Sequence, residues 1–315
     1  MVAELPQQIE MMEAHGFEVI IDPRAKRLTE EELIAAYPGI YGHVCGCDAI
    51  TERVLDSGSC RDLKIISRIG VGYDTIDEIA AAERGIAVVN APGVGAETVA
   101  EFAFALMISL SRQVREADRI IRSGVWGKAE SYSLYRKTLG IVGFGNIGRQ
   151  LAKLVQGFDM RILAYDPYYR DMKYAEENGI AYVALDELVK ESDYISFHLP
   201  LTDETKDLIG ERELARMKPK TMLINCARGG IINEKALYDS LKAGRIFGAA
   251  LDVFEEEPIL MTHPFFELDN LLMTPHHAGT TMEGKSKIVG AAFQNVIDYA
   301  EGRPVHLVNH PRTAL

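Results

Sequence analysis

Hydrophobic and polar positions alternate along this chain in the rhythm of a parallel α/β protein. Short apolar runs predict buried strands, and between them apolar residues recur at helical spacing. In the first part of the sequence, strands are predicted at 17–21, 41–47, 64–69 and 86–89, and helices at 4–15, 28–36 and 76–84. Later strand cores are predicted at Ile141, Ile162, 194–197, 221–225, 246–251 and 271–273. We therefore expect an α/β fold of two doubly wound parallel-sheet units.

Two longer stretches with helical spacing, 96–125 and 283–301, divide the chain. The first is longer than an average helix and suits a connection between domains or a contact with a second subunit. The pattern indicates one domain, residues 93–283, inserted into another that is built from residues 1–92 and 284–315. Too few residues precede the first predicted helix to form a strand.

The stretch 138–166 reads as a strand, a glycine-rich turn, a helix and a second strand that ends in an acid. Gly143 suits a tight turn, Gly145 lets the backbone approach a pyrophosphate, and Gly148 lets the helix pack on its strand. Unpaired N–H groups at the start of the helix stabilise phosphate charge. Asp166 is placed to bind an adenosine ribose and to repel a 2′-phosphate, which favours NAD over NADP. A chance glycine-rich loop is the alternative, but the order of elements favours an NAD site.

Composition excludes several classes of function. The formal net charge of −12 argues against a nucleic-acid partner or an anionic membrane surface. No apolar stretch has the length of a membrane span, and the N-terminus has no signal-peptide pattern. The four cysteines, Cys45, Cys47, Cys60 and Cys226, are irregularly spaced, which favours buried thiols over a metal or redox site and predicts a cytoplasmic protein without disulfides.

Three charged residues lie just past late predicted strands, where ligands bind in parallel sheets: Arg228, Glu257 and His276. Taken singly, Arg228 fits a solvated surface residue, and Glu257 belongs to an acidic run that could be exposed. His276 is adjacent to His277, and loop periodicity does not choose between the two imidazoles.

Together these motifs resemble the D-isomer-specific 2-hydroxyacid dehydrogenase family. The resemblance lies in residues 143–148, 225–230, 250–258 and 274–279, and extends to 68–74, 98–101 and 198–202. It implies a Rossmann NAD domain inserted into a flavodoxin-like substrate domain, whose first strand is nearly absent here. It also implies an enzyme that transfers a hydride between NAD and a D-2-hydroxyacid or 2-oxoacid.

The resemblance implies a role for each matching residue. Arg228 would bind the substrate carboxylate and polarise the 2-oxygen, for which a planar guanidinium is suited. His276 would take the hydroxyl proton in oxidation and return it in reduction. Glu257 would hydrogen-bond the imidazole and fix its tautomer. Backbone N–H groups of Val71 and Gly72 would complete the carboxylate site.

The family pattern also implies which residues contact NAD. The glycine turn and the first helical residues would lie at the pyrophosphate, an acid at the ribose, one pair near the adenine, and four further residues near the nicotinamide. In chain order these residues are Gly143, Gly145, Asn146, Ile147, Gly148, Asp166, Pro200, Thr205, Cys226, Ala227, Asp252 and Gly279.

Within the family the chain resembles short D-3-phosphoglycerate dehydrogenases without a regulatory domain, and the expected substrate is 3-phospho-D-glycerate. Arg68, beside the predicted carboxylate loop, could pair with a phosphate; the alternative is a structural ion pair. Glyoxylate, hydroxypyruvate or another short 2-oxoacid is the rival substrate. An NAD-sensing corepressor is an alternative of another class. The long apolar helix at 98–122 and the resemblance both predict a homodimer.

Overall fold

The computed structural model describes residues 6–22, 27–168, 170–304 and 306–311. The chain divides into two compact units: Met1–Gly95 with Thr280–Leu315, called the first unit, and Ala96–Gly279, the second unit. The assignment of substrate binding to the first unit stays a prediction. Among the described residues, no helix has both the length and the apolar character needed to cross a bilayer.

Within the described part of the first unit, three parallel strands form a sheet in the order β1-β2-β3. The elements that precede the second unit are α1 (Pro6–Ala14), α2 (Glu30–Ala36), β1 (Gly42–Cys45), α3 (Glu52–Asp56), β2 (Ile65–Arg68), α4 (Glu78–Glu83) and β3 (Ala87–Val89). The strand predicted at 17–21 is wrong: among the described residues, none before Gly42 belongs to a strand. An apolar run forms a strand only where a neighbour pairs with its backbone, and sequence periodicity does not report that neighbour.

Seven parallel strands form the sheet of the second unit, in the order β10-β9-β8-β7-β4-β5-β6. Its elements are α5 (Ala96–Ser111), α6 (Val114–Arg122), β4 (Thr138–Val142), α7 (Asn146–Leu154), β5 (Arg161–Tyr165), α8 (Met172–Glu177), β6 (Ile180–Tyr182), α9 (Leu185–Glu191), β7 (Tyr194–Phe197), α10 (Glu211–Arg216), β8 (Met222–Asn225), α11 (Glu234–Lys242), β9 (Gly248–Leu251) and β10 (Leu271–Met273). The direction of winding reverses between β4 and β7, and such a switch point is where parallel sheets bind ligands.

The single helix predicted over 96–125 is wrong, because the chain breaks it into α5 and α6. Gln113 adopts a left-handed conformation, with φ 51°, at the N-cap of α6. Neither glycine nor proline stands at this break, so that the residues that usually mark a helix end give no sign of it. α5 buries seven of its residues, whereas α6 buries none.

After the second unit the chain returns to the first through α12 (Met282–Ala300). Consecutive residues of β2 belong to different apolar clusters: Ile65 packs with Phe293 and Val296 of α12, and Ile66 packs with Leu33 of α2. In the same way, neighbouring residues of the second sheet point to opposite faces, and each face has its own buried cluster. Each sheet therefore has a buried apolar cluster on both of its faces.

Candidate active site

The side chain of Asn225 shapes the loop that carries Arg228. Asn225 ends β8, is 2% exposed, and accepts a hydrogen bond from the Ala227 N–H at 3.0 Å through Oδ1. Its Nδ2 donates to the carbonyl oxygen of Arg228 at 2.8 Å. Nη1 of Arg228 donates to the Ala227 carbonyl at 2.8 Å. One buried amide thus fixes the backbone on both sides of the predicted carboxylate-binding arginine.

Gly229 brings the Arg228 loop against the loop that leads to Glu257. A Cβ atom on Gly229 would lie 2.0 Å from the carbonyl carbon and oxygen of Phe254 and 2.4 Å from the Glu255 nitrogen. No side chain fits there, so the two backbones touch only because residue 229 is glycine. The relative positions of Arg228 and Glu257 therefore depend on this contact.

Asp252 holds the histidine loop to the end of β9. Its carboxylate is fully buried and accepts hydrogen bonds from Thr274 Oγ1 at 2.5 Å, the His277 N–H at 2.7 Å and the Ala278 N–H at 2.8 Å. Its own carbonyl accepts from the His276 N–H at 2.8 Å. Such charge-assisted bonds are about twice as strong as neutral ones. Asp252, predicted as a nicotinamide neighbour, thus has a clear role in shaping the loop.

Glu257 and His276 form a hydrogen-bonded pair. Nδ1 of His276 lies 2.8 Å from Oε2 of Glu257, whose other oxygen accepts from the Phe254 N–H at 3.2 Å. A carboxylate at Nδ1 keeps a proton on that nitrogen, which leaves Nε2 for proton transfer. The His276 side chain is 37% exposed, so this second nitrogen can meet a substrate.

The two adjacent histidines have different surroundings. The ring of His277 packs edge-on against Phe102, with ring centroids 5.5 Å apart, while His276 faces Glu257. His276 also has a left-handed backbone, with φ 51°, which is uncommon for a residue other than glycine and is held by the hydrogen bonds of its N–H. This geometry favours His276 as the proton-transfer group.

The predicted phosphate turn has the geometry that a pyrophosphate needs. Gly143 has φ +93°, and a Cβ there would lie 2.6 Å from the His198 carbonyl; a Cβ on Gly148 would lie 2.5 Å from the Gly143 carbonyl oxygen. By contrast, a Cβ on Gly145, the N-cap of α7, would meet nothing within 4 Å. Open space in front of the first N–H groups of a helix suits a phosphate pair. Asn146 and Ile147 supply those N–H groups.

Asp166 follows β5 and ties the turn to the predicted ribose site. It is 7% exposed, accepts from the Phe144 N–H at 2.8 Å through Oδ2, and accepts from the Tyr168 N–H at 2.9 Å through Oδ1. Two backbone donors hold this carboxylate in one orientation. The geometry fits NAD, whose ribose hydroxyls hydrogen-bond such an acid.

The other residues predicted to contact the cofactor differ in exposure. Pro200 and Gly279 are exposed, whereas Thr205 is 1% exposed and its hydroxyl donates to the Pro200 carbonyl at 2.7 Å. Thr205 therefore stabilises the turn at Pro200 through this hydrogen bond. Cys226 and Ala227 are 8% and 9% exposed, and burial raises the pKa of the Cys226 thiol well above its usual range. That thiol stays neutral and apolar beside the Arg228 loop.

His198, which follows β7 beside the glycine turn, is a partly buried histidine that the sequence reasoning did not single out. Its Nε2 lies 2.9 Å from Ser196 Oγ, and its buried Nδ1 has no hydrogen-bond partner among the described residues. Burial lowers the pKa of His198 to about 3. The imidazole is therefore neutral at physiological pH. Its position in the loop 198–202, within the family-like motif, is the signal that could have drawn attention to it.

In the first unit, Arg68 is the last residue of β2 and is only 7% exposed. Its Nε donates to the Gly72 carbonyl at 2.7 Å, its Nη1 donates to the Ile69 carbonyl at 2.6 Å, and its Nη2 lies 3.3 Å from Cys47 Sγ. The guanidinium is therefore occupied by groups of its own unit. This geometry favours the structural alternative for Arg68, through hydrogen bonds to carbonyl groups.

Comparison with known proteins identifies the family. The family model described as D-isomer specific 2-hydroxyacid dehydrogenase, NAD binding domain, matches residues 104–278. The chain belongs to this family. It is therefore an NAD-dependent oxidoreductase that acts on 2-hydroxyacids or 2-oxoacids.

Three similar proteins show the range of substrates. A glyoxylate reductase of Korarchaeum cryptofilum is 43% identical over 283 residues, 86% of this chain and 85% of the relative. A D-3-phosphoglycerate dehydrogenase of Archaeoglobus fulgidus is 38% identical over 97% of this chain, which spans 58% of that relative's length. The structure of an Aquifex aeolicus D-lactate dehydrogenase, complexed with NAD and lactic acid, is 30% identical, with a TM-score of 0.82, covering 96% of this chain and 93% of that one.

Proposed function

We propose that this dehydrogenase reduces a short, unphosphorylated 2-oxoacid, such as glyoxylate or hydroxypyruvate, with NADH. The observation that carries this proposal is the position of Arg68. Its Nε, Nη1 and Nη2 all contact groups of the first unit, which leaves the side chain poorly suited to pair with a substrate phosphate. The likeness to the glyoxylate reductase of Korarchaeum cryptofilum supports the same substrate class.

The second unit has the side chains for the proton transfer. When bound, NADH supplies a hydride to C2 of the 2-oxoacid. Nε2 of protonated His276 donates a proton to the 2-oxygen, so that a 2-hydroxyacid forms and the imidazole becomes neutral. Glu257, 2.8 Å from Nδ1, holds the imidazole ring in one orientation. Arg228 binds the substrate carboxylate, and its backbone is held by Asn225.

Reduction of 3-phosphohydroxypyruvate is the second candidate. The D-3-phosphoglycerate dehydrogenase of Archaeoglobus fulgidus is similar over almost the whole chain, and this similarity supports a phosphorylated substrate. Other basic residues would then have to pair with the phosphate, because Arg68 is occupied.

A substrate panel separates the two candidates. NADH oxidation by the purified protein is followed with glyoxylate, hydroxypyruvate, pyruvate and 3-phosphohydroxypyruvate. We expect kcat/KM for glyoxylate or hydroxypyruvate to exceed that for the phosphorylated acid by about tenfold or more, a difference of about 1.4 kcal/mol in transition-state stabilisation. A preference for 3-phosphohydroxypyruvate would contradict the proposal. Tight NADH binding without turnover on any acid would move the function to a non-enzymatic class.

We also propose that the protein is a homodimer that forms through an exposed apolar surface on α6 and the residues after it. Val114, Ile121, Val125 and Trp126 are 52%, 49%, 55% and 94% exposed, and α6 buries no residue. Several large exposed apolar side chains on one helix and the residues after it are typical of a protein interface. Light scattering at micromolar concentration should give a dimer, and Ile121→Glu a monomer. Met172→Glu, which changes an exposed apolar residue of α8, should leave the dimer intact.

We further propose that the enzyme is cytoplasmic, because free cysteines are typical of a reducing compartment. All four cysteines are free, and Cys45, Cys60 and Cys226 are buried. Fractionation of cells that express the natural protein should show activity in the cytosolic fraction. Activity confined to a membrane or secreted fraction would contradict this placement.

A further inference from the structure

Four consecutive carbonyl groups in the loop that follows β2 each have a donor within the first unit. Arg68 donates to the carbonyls of Ile69 and Gly72, at 2.6 Å and 2.7 Å. The Gly70 carbonyl accepts from the Ala91 N–H at 2.9 Å, and the Val71 carbonyl accepts from Asn90 Nδ2 at 2.8 Å. The direction of every peptide group from residue 69 to residue 73 is thereby set by a neighbour.

The directions of these carbonyls determine where the N–H groups point. In a planar trans peptide, the C=O of one residue and the N–H of the next point in opposite directions. Because the carbonyls of Gly70 and Val71 both point towards residues 90–91, the N–H groups of Val71 and Gly72 both point away from them. Neither N–H donates to an acceptor among the residues that the structure describes. Two successive N–H groups on one side form a small anion-binding concavity.

Gly70 directly precedes these two N–H groups and has φ +133°, where a side chain would be strained. Its conformation sets the direction of the 70–71 peptide relative to the peptide before it. Val71 is 48% exposed, so the concavity lies at the surface of the unit. The loop therefore presents its donors outward while its acceptors are used inward.

We propose that Arg68 and Asn90 are positioning residues, which hold the N–H groups of Val71 and Gly72 ready to bind the substrate carboxylate. The inference rests on the proposed function for the carboxylate substrate, but not on which 2-oxoacid it is. Arg68 acts through Gly72 and Ile69, and Asn90 acts through Val71; neither side chain touches the substrate. Both act on any 2-oxoacid, because the carboxylate is common to all of them.

Kinetics of Asn90→Leu test the proposal. This change keeps the size of the side chain but removes the donor to Val71, so that the peptide between residues 71 and 72 can rotate. We expect KM for every 2-oxoacid substrate to rise about tenfold, while kcat and KM for NADH stay within about twofold. The inhibition constant of oxamate, a non-reacting carboxylate with the shape of a 2-oxoacid, should rise in parallel.

Arg68→Lys provides a second arm. A lysine ammonium is a compact point charge and cannot hold the two carbonyls that Nε and Nη1 hold at once. We expect a rise in KM for 2-oxoacids of at least tenfold, the same for phosphorylated and unphosphorylated acids. A rise for 3-phosphohydroxypyruvate alone would mean that Arg68 binds the phosphate directly, and would overturn the inference. If Arg68→Lys does not fold, Asn90→Leu decides alone.

Asn178→Leu is the matched control. Asn178 lies in the second unit, and its Nδ2 donates to the Tyr174 carbonyl at 2.8 Å, so the change removes the same kind of bond. KM for the 2-oxoacid should be unchanged in this variant. If folded Asn90→Leu has an unchanged KM for 2-oxoacids and an unchanged inhibition constant for oxamate, the proposal is wrong.

Oxamate binding tests the positioning role even without turnover. If no 2-oxoacid is reduced, calorimetry of oxamate binding to the NADH-loaded protein still compares the natural protein with Asn90→Leu. A weaker oxamate affinity in the variant supports the positioning role even then. Equal oxamate affinities, or no oxamate binding by the natural protein, contradict that role.

Discussion

The imidazole Nδ1 of His276 lies 2.8 Å from Oε2 of Glu257, although these residues belong to loops that follow different strands of one sheet. The pair depends on two further contacts. Asp252 holds the histidine loop through the N–H groups of His277 and Ala278, and Gly229 lets the glutamate loop pack against its neighbour. The distance between His276 and Glu257 therefore depends on contacts that hold their two loops in place.

Replacement of the two adjacent histidines should have opposite consequences. We expect His276→Asn to lower kcat/KM for the preferred 2-oxoacid by about 10²- to 10⁴-fold, because the proton donor is lost. His277→Asn should keep activity within about threefold, since its ring packs on Phe102 and does not face Glu257. Steady-state kinetics, with NADH affinity measured by fluorescence, checks both. The opposite pattern would place the proton transfer on His277.

Gly229→Ala should damage the active site without a change of any polar group. The new methyl group would overlap the Phe254 carbonyl, so the loops of Arg228 and Glu257 must move apart. A misplacement of about 1 Å costs about 10²-fold in rate, and we expect at least that loss in kcat/KM. Gly157→Ala is the control, because a Cβ there meets nothing within 4 Å and activity should stay normal. Near-normal turnover in Gly229→Ala would show that the loops tolerate separation.

Asp166→Asn should weaken the preference for NADH. The carboxylate accepts from the Phe144 N–H and carries the charge that repels a 2′-phosphate. We expect the ratio of kcat/KM for NADH to that for NADPH to fall about tenfold or more. Asp186→Asn removes an exposed charge on α9 and should leave the ratio unchanged. A ratio that is the same in Asp166→Asn would assign cofactor choice to other residues.

Burial of His198 should make the protein less stable in acid. Its pKa is about 3 in the folded protein and about 6.5 when unfolded, so below pH 6.5 the unfolded chain binds the additional proton. The free energy of unfolding therefore falls as the pH drops from about 6.5 towards 3, by about 2 kcal/mol at pH 5 from this group. Denaturant unfolding of the natural protein and of His198→Gln should show curves that diverge by this amount between pH 8 and pH 5. Parallel curves would contradict the burial effect.

Much of the second unit was predictable from the order of residues alone. The strand that runs into Gly143, the helix after Gly145 and the acid at the end of β5 form a local pattern, which needs no distant partner. Arg228, Glu257 and His276 could be selected because each follows a strand, and parallel strands end at one edge of a sheet. The membership of the family, which the motifs suggested, is confirmed by the match over residues 104–278.

The sequence by itself determined the alternation of elements, the glycine turn and the candidate residues, because these follow from periodicity and from residue types at short range. Only the tertiary structure decided that His276 meets Glu257 while His277 packs on Phe102, that Arg68 turns inward, and that the helix over 96–125 breaks at Gln113. Those outcomes depend on hydrogen bonds and packing between segments far apart in the chain. The spacing of residues along the chain does not predict such contacts, since a loop residue can face either side until its neighbours in the fold hold it in place.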